Sequence, residues 1–180
     1  MTIITATYNA LPTLKEAYAS LLSQTHTNWE WIVVDGASTD GTVEWLSGLA
    51  DSRVNWKSEK DKGIYDALNK GIARATGEVI GFLHADDLLA SPEVLAEIDA
   101  RFQDVQIDGI YGDLQYVSAE NGRVIRHWKS SAFTLKKLQH GWMPPHPTCY
   151  FKKSVYEEIG TFDTSFRIAA DYDFLLRSFA

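Results

Sequence analysis

One cysteine, Cys149, stands in the whole sequence, which excludes an intrachain disulfide and with it the small disulfide-stapled scaffolds. Long hydrophobic runs are missing as well: no stretch approaches the ~18 apolar residues of a membrane-spanning helix. Met1 leads straight into TIITATYNA with no basic segment, so no secretory leader is read there and a soluble cytoplasmic domain is expected. Excess positive charge is also lacking. A net charge of −7 provides no basic field for a phosphate backbone, so nucleic acid is not an expected partner. The pairs Lys136–Lys137 and Lys152–Lys153 read as solvated faces. Neither a G-x-G-x-x-G fingerprint nor a Gly-rich phosphate loop occurs, which argues against dinucleotide-binding and nucleotidyltransferase readings.

What is present is ordinary globular composition in 180 residues, 45% hydrophobic and 23% charged, enough for a single domain with a sizeable core. Six Trp, eight Tyr and eight Phe belong mostly to that core, with some left to stack on a ring-shaped ligand. Short β-branched or apolar runs alternate with helical periodicity. TIITATY (2–8), WEWIVVDGAS (29–38), RVNWKSE (53–59) and EVIGFL (78–83) read as strands. Between them Leu14, Ala17, Tyr18, Leu21 and Leu22 form one helical stripe, and Ile64, Ala67, Leu68, Gly71, Ile72 and Ala75 another. Ser38, Thr39 or Asp40 is expected to cap a helix over the following TVEWLSGL, and Ser91-Pro92 to open a further one as N-cap and N1. After residue 105 the pattern changes. Asn121-Gly122 predicts an antiparallel hairpin, and TCYFKKSVYEEIG a strand and a helix closed by Gly160. The expected fold is α/β: an open, mainly parallel, Rossmann-like sheet with helices on both faces and a mixed, antiparallel C-terminal half.

Such sheets bind ligands outside the carboxyl ends of their strands. Carboxylates gather at those ends: Asp35 after WIVV, Glu59 and Asp61 after NWKS, and Asp86–Asp87 after GFL. Adjacent carboxylates repel unless a cation or a shared proton relieves them, and hard divalent ions such as Mg²⁺ take one or two carboxylates with water and phosphate. HGWMPPHPTCYF (140–151) holds His140, His146 and Cys149 in no zinc-ligand spacing, but its prolines stiffen a loop and Trp142 is a flat surface of the kind sugars stack on. His146 reads either as a phosphate contact or as a structural histidine.

Three stretches together, TATYNA, VVDGASTDGT and SEKDKGIYDALNKGIARATGEVIGFLHADD, resemble the inverting family-two glycosyltransferases of the GT-A fold, of the bacterial polysaccharide-biosynthesis type. IGTFDTSFRIAADYDFLLR (159–177) is similar to that family's closing region, so the resemblance spans nearly the whole chain. It implies one GT-A domain over 1–180, with a nucleotide-sugar-binding half at 1–104 and an acceptor-side half at 105–180. Thr5, Ala6, Tyr8, Asp35 and Asp61 would hold the nucleoside of the donor, with His84 and Asp86 at its phosphates and sugar. Asp86 and Asp87 would bind a divalent metal, Mn²⁺ or Mg²⁺, and Asp171 would be the catalytic base; Trp142 and His146 would face the acceptor. Two positions depart from the family pattern: His84 replaces the first acid of D-x-D, and Ala170 the Glu before Asp171. The partners implied are a nucleotide sugar and a saccharide or lipid-linked acceptor, at the inner face of the membrane. The alternative is an inactive nucleotide-sugar-binding module of the same fold. Because the chain ends inside a predicted helix, the resemblance further implies either a longer enzyme, with a segment that touches the membrane, or an acceptor site finished by a second subunit, as in a homodimer.

Overall fold

The β-branched run Thr2–Thr7 forms strand β1 at the centre of the computed structural model, which describes residues 1–179. Helix α1 (Leu11–Leu22) follows, then β2 (Glu30–Asp35), α2 (Thr42–Ser47), β3 (Val54–Ser58), α3 (Ile64–Arg74), β4 (Val79–Phe82) and α4 (Val94–Phe102). The second half contains β5 (Gly109–Ile110), β6 (Leu114–Val117), β7 (Val124–Trp128), α5 (Leu135–Gln139), a 3₁₀ turn (His146–Thr148), β8 (Tyr150–Lys152), α6 (Lys153–Ile159) and α7 (Ala170–Phe179). Six strands make one sheet in the order β3-β2-β1-β4-β8-β5. The first four are parallel, and β8 runs antiparallel to both neighbours, so the sheet is mixed as expected.

Alternation along the strands sorts side chains into two layers. Ile4, Ile32, Val34, Ile80 and Phe82 pack on one face with Ala67, Leu68 and Ile72 of α3, Tyr156 of α6 and Phe174 of α7. Ile3, Trp31, Val33 and Leu83 pack on the other with Leu14, Ala17, Tyr18 and Leu21 of α1, Leu46 of α2 and Leu95 of α4. Both faces are therefore covered, as parallel sheets require. Most of the aromatic load lies here. Tyr18 stacks on Trp31 at 5.0 Å between centroids, and Trp45 meets both edge-on. Leu22 departs from the expected stripe and is exposed.

Two helix starts differ from expectation. Helix α4 begins at Val94, not at Ser91-Pro92, because the Ser91 and Pro92 carbonyls accept hydrogen bonds from Gln24 and Thr25. Its cap comes from the same distant segment: Gln24 Oε1 accepts the Leu95 N–H at 3.0 Å. At α2 the N-cap residue is Gly41, whose φ of +93° suits glycine, and Asp40 serves two helices at once. Its carboxylate accepts the Thr42 hydroxyl and N–H and the Leu11 N–H, which hold it below the usual carboxylate range. The hairpin forms around Asn121-Gly122 as expected, but β6 and β7 make a separate two-stranded sheet and do not extend the main one.

Candidate active site

The carboxyl ends of the four parallel strands share one edge. From β1 the chain steps outward to β2 and β3, then returns to lay β4 on the other side of β1. The β1/β4 boundary is therefore the switch point where a crevice opens. A hollow of about 550 Å³ lies beside it, over the ends of β1, β2 and β3, walled by Ala6, Thr7, Tyr8, Gly36, Lys60 and Asp61. A second hollow shares Ala6, Tyr8 and Ile64 with it and reaches His84 and Asp86.

The first hollow has an aromatic platform and polar edges. Tyr8 is 66% exposed, a large ring left open at a strand end. Gly36 allows it to sit close: a Cβ there would meet Asp61 Oδ2 at 2.8 Å and the Tyr8 ring at 3.3 Å. Asp61 Oδ1 accepts the Gly63 N–H at 2.9 Å, which fixes the turn into α3. Thr7 Oγ1 is buried without a hydrogen-bond partner among the described residues. Lys60 supplies a cation to the wall. Thr7 and Lys60 lie inside the TATYNA and SEKDKG stretches, where residue type alone does not distinguish them from their neighbours.

Two expected donor residues point elsewhere. Thr5 is fully buried; its hydroxyl donates to the Leu83 carbonyl at 2.6 Å and accepts from Trp31 Nε1 at 2.8 Å, tying β1 to β4 and β2. Asp35 is fully buried too, and accepts from the Ser38 hydroxyl and N–H and from the Ser58 hydroxyl at 2.6 Å. These side chains brace the strand tips and line neither hollow. Glu59 is likewise occupied, paired with Lys57 at 2.6 Å and Lys70 at 3.3 Å.

At the β4 tip, Asp87 N–H donates to the His84 carbonyl at 3.0 Å, turning the chain so that Asp86 is exposed and Asp87 half-buried. Burial raises the Asp87 carboxyl above its ordinary value; the His84 charge opposes this and Asp86 adds to it. A cation beside the pair would relieve both effects. Among the described residues His84 Nδ1 is buried and has no hydrogen-bond partner. Among the described residues no three His, Cys, Asp or Glu side chains converge as a metal cage. The two adjacent carboxylates are oxygen donors of the kind a hard cation takes, one or two at a time, with water and phosphate oxygens.

Asp171, in the first turn of α7, accepts the Tyr65 hydroxyl at 3.0 Å. Burial and the Asp171 charge raise the Tyr65 pKa, so the phenol stays a donor. Nearby, His146 stacks on Phe82 at 5.2 Å and meets Phe162 edge-on at 5.5 Å. Its ring is 6.2 Å from that of His84. Burial pushes the His146 pKa down to about 4, with Asp171 opposing and His84 reinforcing, so the ring is neutral at neutral pH. As a phosphate contact or as a structural residue, His146 is a neutral, mostly buried imidazole. His146 and Asp171 line neither hollow and join the site through His84 and Tyr65, whereas Trp142 stands apart, edge-on to Tyr111 at 6.1 Å with Lys137 over its ring. Asp173, two residues beyond Asp171, turns away and pairs with Arg177 at 2.9 Å.

Among the described residues three that are not glycine carry positive φ: Asn9 after β1, Ala37 after β2 and Ala169, two residues before Asp171. A left-handed alanine costs ~1–2 kcal/mol, and such strain concentrates at functional sites. All three sit around this edge of the sheet.

The arrangement has solved counterparts. Over 98% of its length the chain matches the structure of S. aureus TarS 1–349 with a TM-score of 0.75 at 23% identity, covering 54% of that chain. TarS 1–349 has also been solved with UDP and with UDP-GlcNAc. The mannosyltransferase PcManGT from Pyrobaculum calidifontis, in complex with GDP-Man and Mn²⁺, matches 94% of the chain with a TM-score of 0.69 at 24% identity and 48% coverage of its own length. The chain therefore spans about half of these structures, and the likeness bears out the GT-A arrangement. In sequence it is 34% identical over 185 residues to an uncharacterized glycosyltransferase of Mycobacterium tuberculosis, covering 99% of this chain and 68% of the relative. A PGL/p-HBAD biosynthesis glycosyltransferase of Mycobacterium bovis is 32% identical over 182 residues, with coverages of 99% and 69%. The profile described as Glycosyl transferase family 2 matches residues 2–160, and with the fold and these relatives in agreement the chain belongs to that family.

Proposed function

We propose that this chain moves a sugar from a nucleoside-diphosphate sugar to an acceptor hydroxyl with inversion at the anomeric carbon, in cytoplasmic synthesis of a cell-surface polysaccharide or lipid-linked oligosaccharide. The observation that carries this reading is convergence: His84, which lines the hollow at the switch point with Asp86, has its ring 6.2 Å from that of His146, and Asp171 is held at 3.0 Å by Tyr65, the neighbour of Ile64 in the same hollow. TarS binds UDP-GlcNAc and PcManGT binds GDP-Man with Mn²⁺ on the same fold, which supports the donor class.

In this reading Tyr8 stacks on the base, Asp61 and Thr7 meet its polar edge or the ribose, and Lys60 faces the phosphates. Asp86 holds the divalent cation, with Asp87 behind it and His84 directed to the diphosphate or the sugar. That cation, when bound, offsets charge growing on the departing diphosphate. The acceptor oxygen forms a bond to the anomeric carbon as the bond to the diphosphate breaks, and the electron pair leaves with the diphosphate. Asp171 takes the hydroxyl proton on the oxygen that Tyr65 leaves free. A single displacement inverts the centre and needs no covalent enzyme intermediate. Acceptor contacts come from the 105–180 half, with Trp142 and His146 nearest in this reading.

Calorimetric titration of UDP, GDP, dTDP and CMP, with and without Mn²⁺, tests the proposal when repeated on Asp86→Ala. Metal-dependent binding of one diphosphate, lost in the variant, is expected, followed by a product of inverted configuration by NMR. Nucleotide binding indifferent to metal and without turnover would instead mark an inactive binding module.

A further inference from the structure

The β6–β7 hairpin is out of keeping with the rest of the molecule. Two-stranded sheets are marginally stable alone in water, yet this one adds no strand to the main sheet. Every residue of β7 from Val124 to His127 is exposed, and Ile125 reaches 71%. The register pairs Tyr116 with Arg126 and Val117 with Val124, so Ile125 is the extra residue of a bulge. A bulge re-aims its side chain out of the ladder. Val117, Val124 and Tyr116 are also exposed large side chains. Water is a poor solvent for this surface, and no described element covers it.

Charge indicates what would. In a chain of net charge −7, not one Asp or Glu occurs between Asn121 and Tyr156. That span contains Arg123, Arg126 and Lys129 in the hairpin, followed by Lys136 and Lys137. Arg123, Arg126, Lys129 and Lys136 have no ion-pair partner among the described residues. Arg126 lies between the rings of Tyr116 and Trp128, 5.5 and 5.8 Å from their centroids. The acids at the hairpin's ends are Asp113, which faces His127 at 3.5 Å and accepts the Ser130 N–H, and Glu120 in the turn. Self-association through this surface would set cations against cations. A soluble polyanion would satisfy the charge but leave Ile125, Val124 and Val117 in water. Cations beside aromatic rings and exposed aliphatic side chains match the interface of a bilayer.

We propose that the β6–β7 hairpin docks the protein on an anionic lipid surface, with Arg123, Arg126 and Lys129 at the headgroups and Ile125 in the acyl boundary. The segment that follows ties this surface to the acceptor side of the site. Ser130 bonds to Gly112 and Asp113, and the Tyr172 hydroxyl, next to Asp171, donates to the Leu138 carbonyl at 2.5 Å. A docked hairpin would hold the Asp171 end of the molecule near the membrane, where a lipid-linked hydroxyl is presented. The docking itself does not depend on the transferase reading.

Vesicle co-sedimentation tests it, comparing pure phosphatidylcholine with an equal mixture of phosphatidylcholine and phosphatidylglycerol. Binding is expected to the mixed vesicles alone and to fall as salt screens the cations. Each neutralised cation should weaken it about fivefold, so Arg123→Ser, Arg126→Ser and Lys129→Ser combined should cost about a hundredfold. Ile125→Asp should also weaken it. All four side chains are exposed, and unchanged melting curves would show that the variants are folded. Equal binding to both vesicles, no binding to either, or wild-type binding by the combined variant would overturn the proposal. So would an effect of the cations with none of Ile125→Asp, which would mark a site for a soluble polyanion.

Discussion

The Tyr65 hydroxyl donates to Asp171 Oδ1 at 3.0 Å, across 106 residues of sequence, and joins the first turn of α3 to the first turn of α7. If Asp171 is the base, this bond orients one carboxylate oxygen and stabilises its charged form. A hydrogen bond to a charged group is worth about 1.5–3 kcal/mol. Tyr65→Phe should therefore lower kcat by roughly tenfold to a hundredfold with little change in the acceptor KM. The phenyl ring and its packing beside Phe162 remain in the variant, so the bond alone is lost. A tyrosine that only supports the fold would lower the melting temperature and leave kcat of the folded enzyme unchanged.

His146 predicts a stability effect of definite sign. Its folded pKa is about 4, against ~6.5 in an unfolded chain. The unfolded state thus binds the proton first. Stability is complete above ~6.5, declines as pH falls toward about 4, and the loss amounts to about 2–3 kcal/mol. Replacing the ring by a non-titrating aromatic, His146→Phe, should flatten the melting temperature across that window. An equally sloped curve in the variant would mean that other groups carry the dependence.

A second acid-sensitive pair lies far from the site and works at lower pH. Asp51 accepts from Arg53 Nη2 at 2.8 Å, from Arg53 Nε at 3.0 Å and from the Tyr18 hydroxyl at 2.9 Å. The Arg53 side chain holds the Asp51 carboxyl far below the usual carboxylate range, against the effect of burial, with further help from the Arg53 N–H and Tyr18. Its contribution is present above the ordinary Asp pKa near ~4 and disappears as pH falls below that. Asp51→Asn should cost about 1–2 kcal/mol at neutral pH and remove this part of the acid decline. Denaturant midpoints at a series of pH values would show whether the two windows separate.

Much of the sheet could be read from periodicity, because β1, β2 and β4 are buried on both faces and α1 and α3 each present one apolar stripe. The misplaced start of α4 had a long-range cause: Gln24 supplies the cap, and no local pattern announces it. The same limit applies to the site. Ala6, Tyr8, Asp61 and Asp86 are strand-end residues and were legible as such. That Asp35 and Thr5 face inward depends on Ser58, Trp31 and Leu83, which neighbouring strands bring alongside. The left-handed Ala37 and Ala169 are invisible in sequence, since alanine signals nothing about positive φ.

Two glycines separate folding from binding. At Gly71 on α3 a Cβ would lie 2.4 Å from Ile4 Cγ2 in the centre of the core, where close packing leaves β1 and α3 nowhere to move. Gly71→Ala should cost about 1–3 kcal/mol and lower the melting temperature. At Gly36 the obstacles are the Asp61 carboxylate and the Tyr8 ring. Both can swing aside at little cost to the fold, but only into the hollow they line. Gly36→Ala should therefore melt with the wild type while binding the nucleotide roughly tenfold more weakly, the cost of losing about one hydrogen bond or stacking contact. Melting curves and calorimetry on both variants decide the matter. Equal nucleotide affinity in Gly36→Ala would remove Tyr8 and Asp61 from the donor site, whatever the rest of the cleft does.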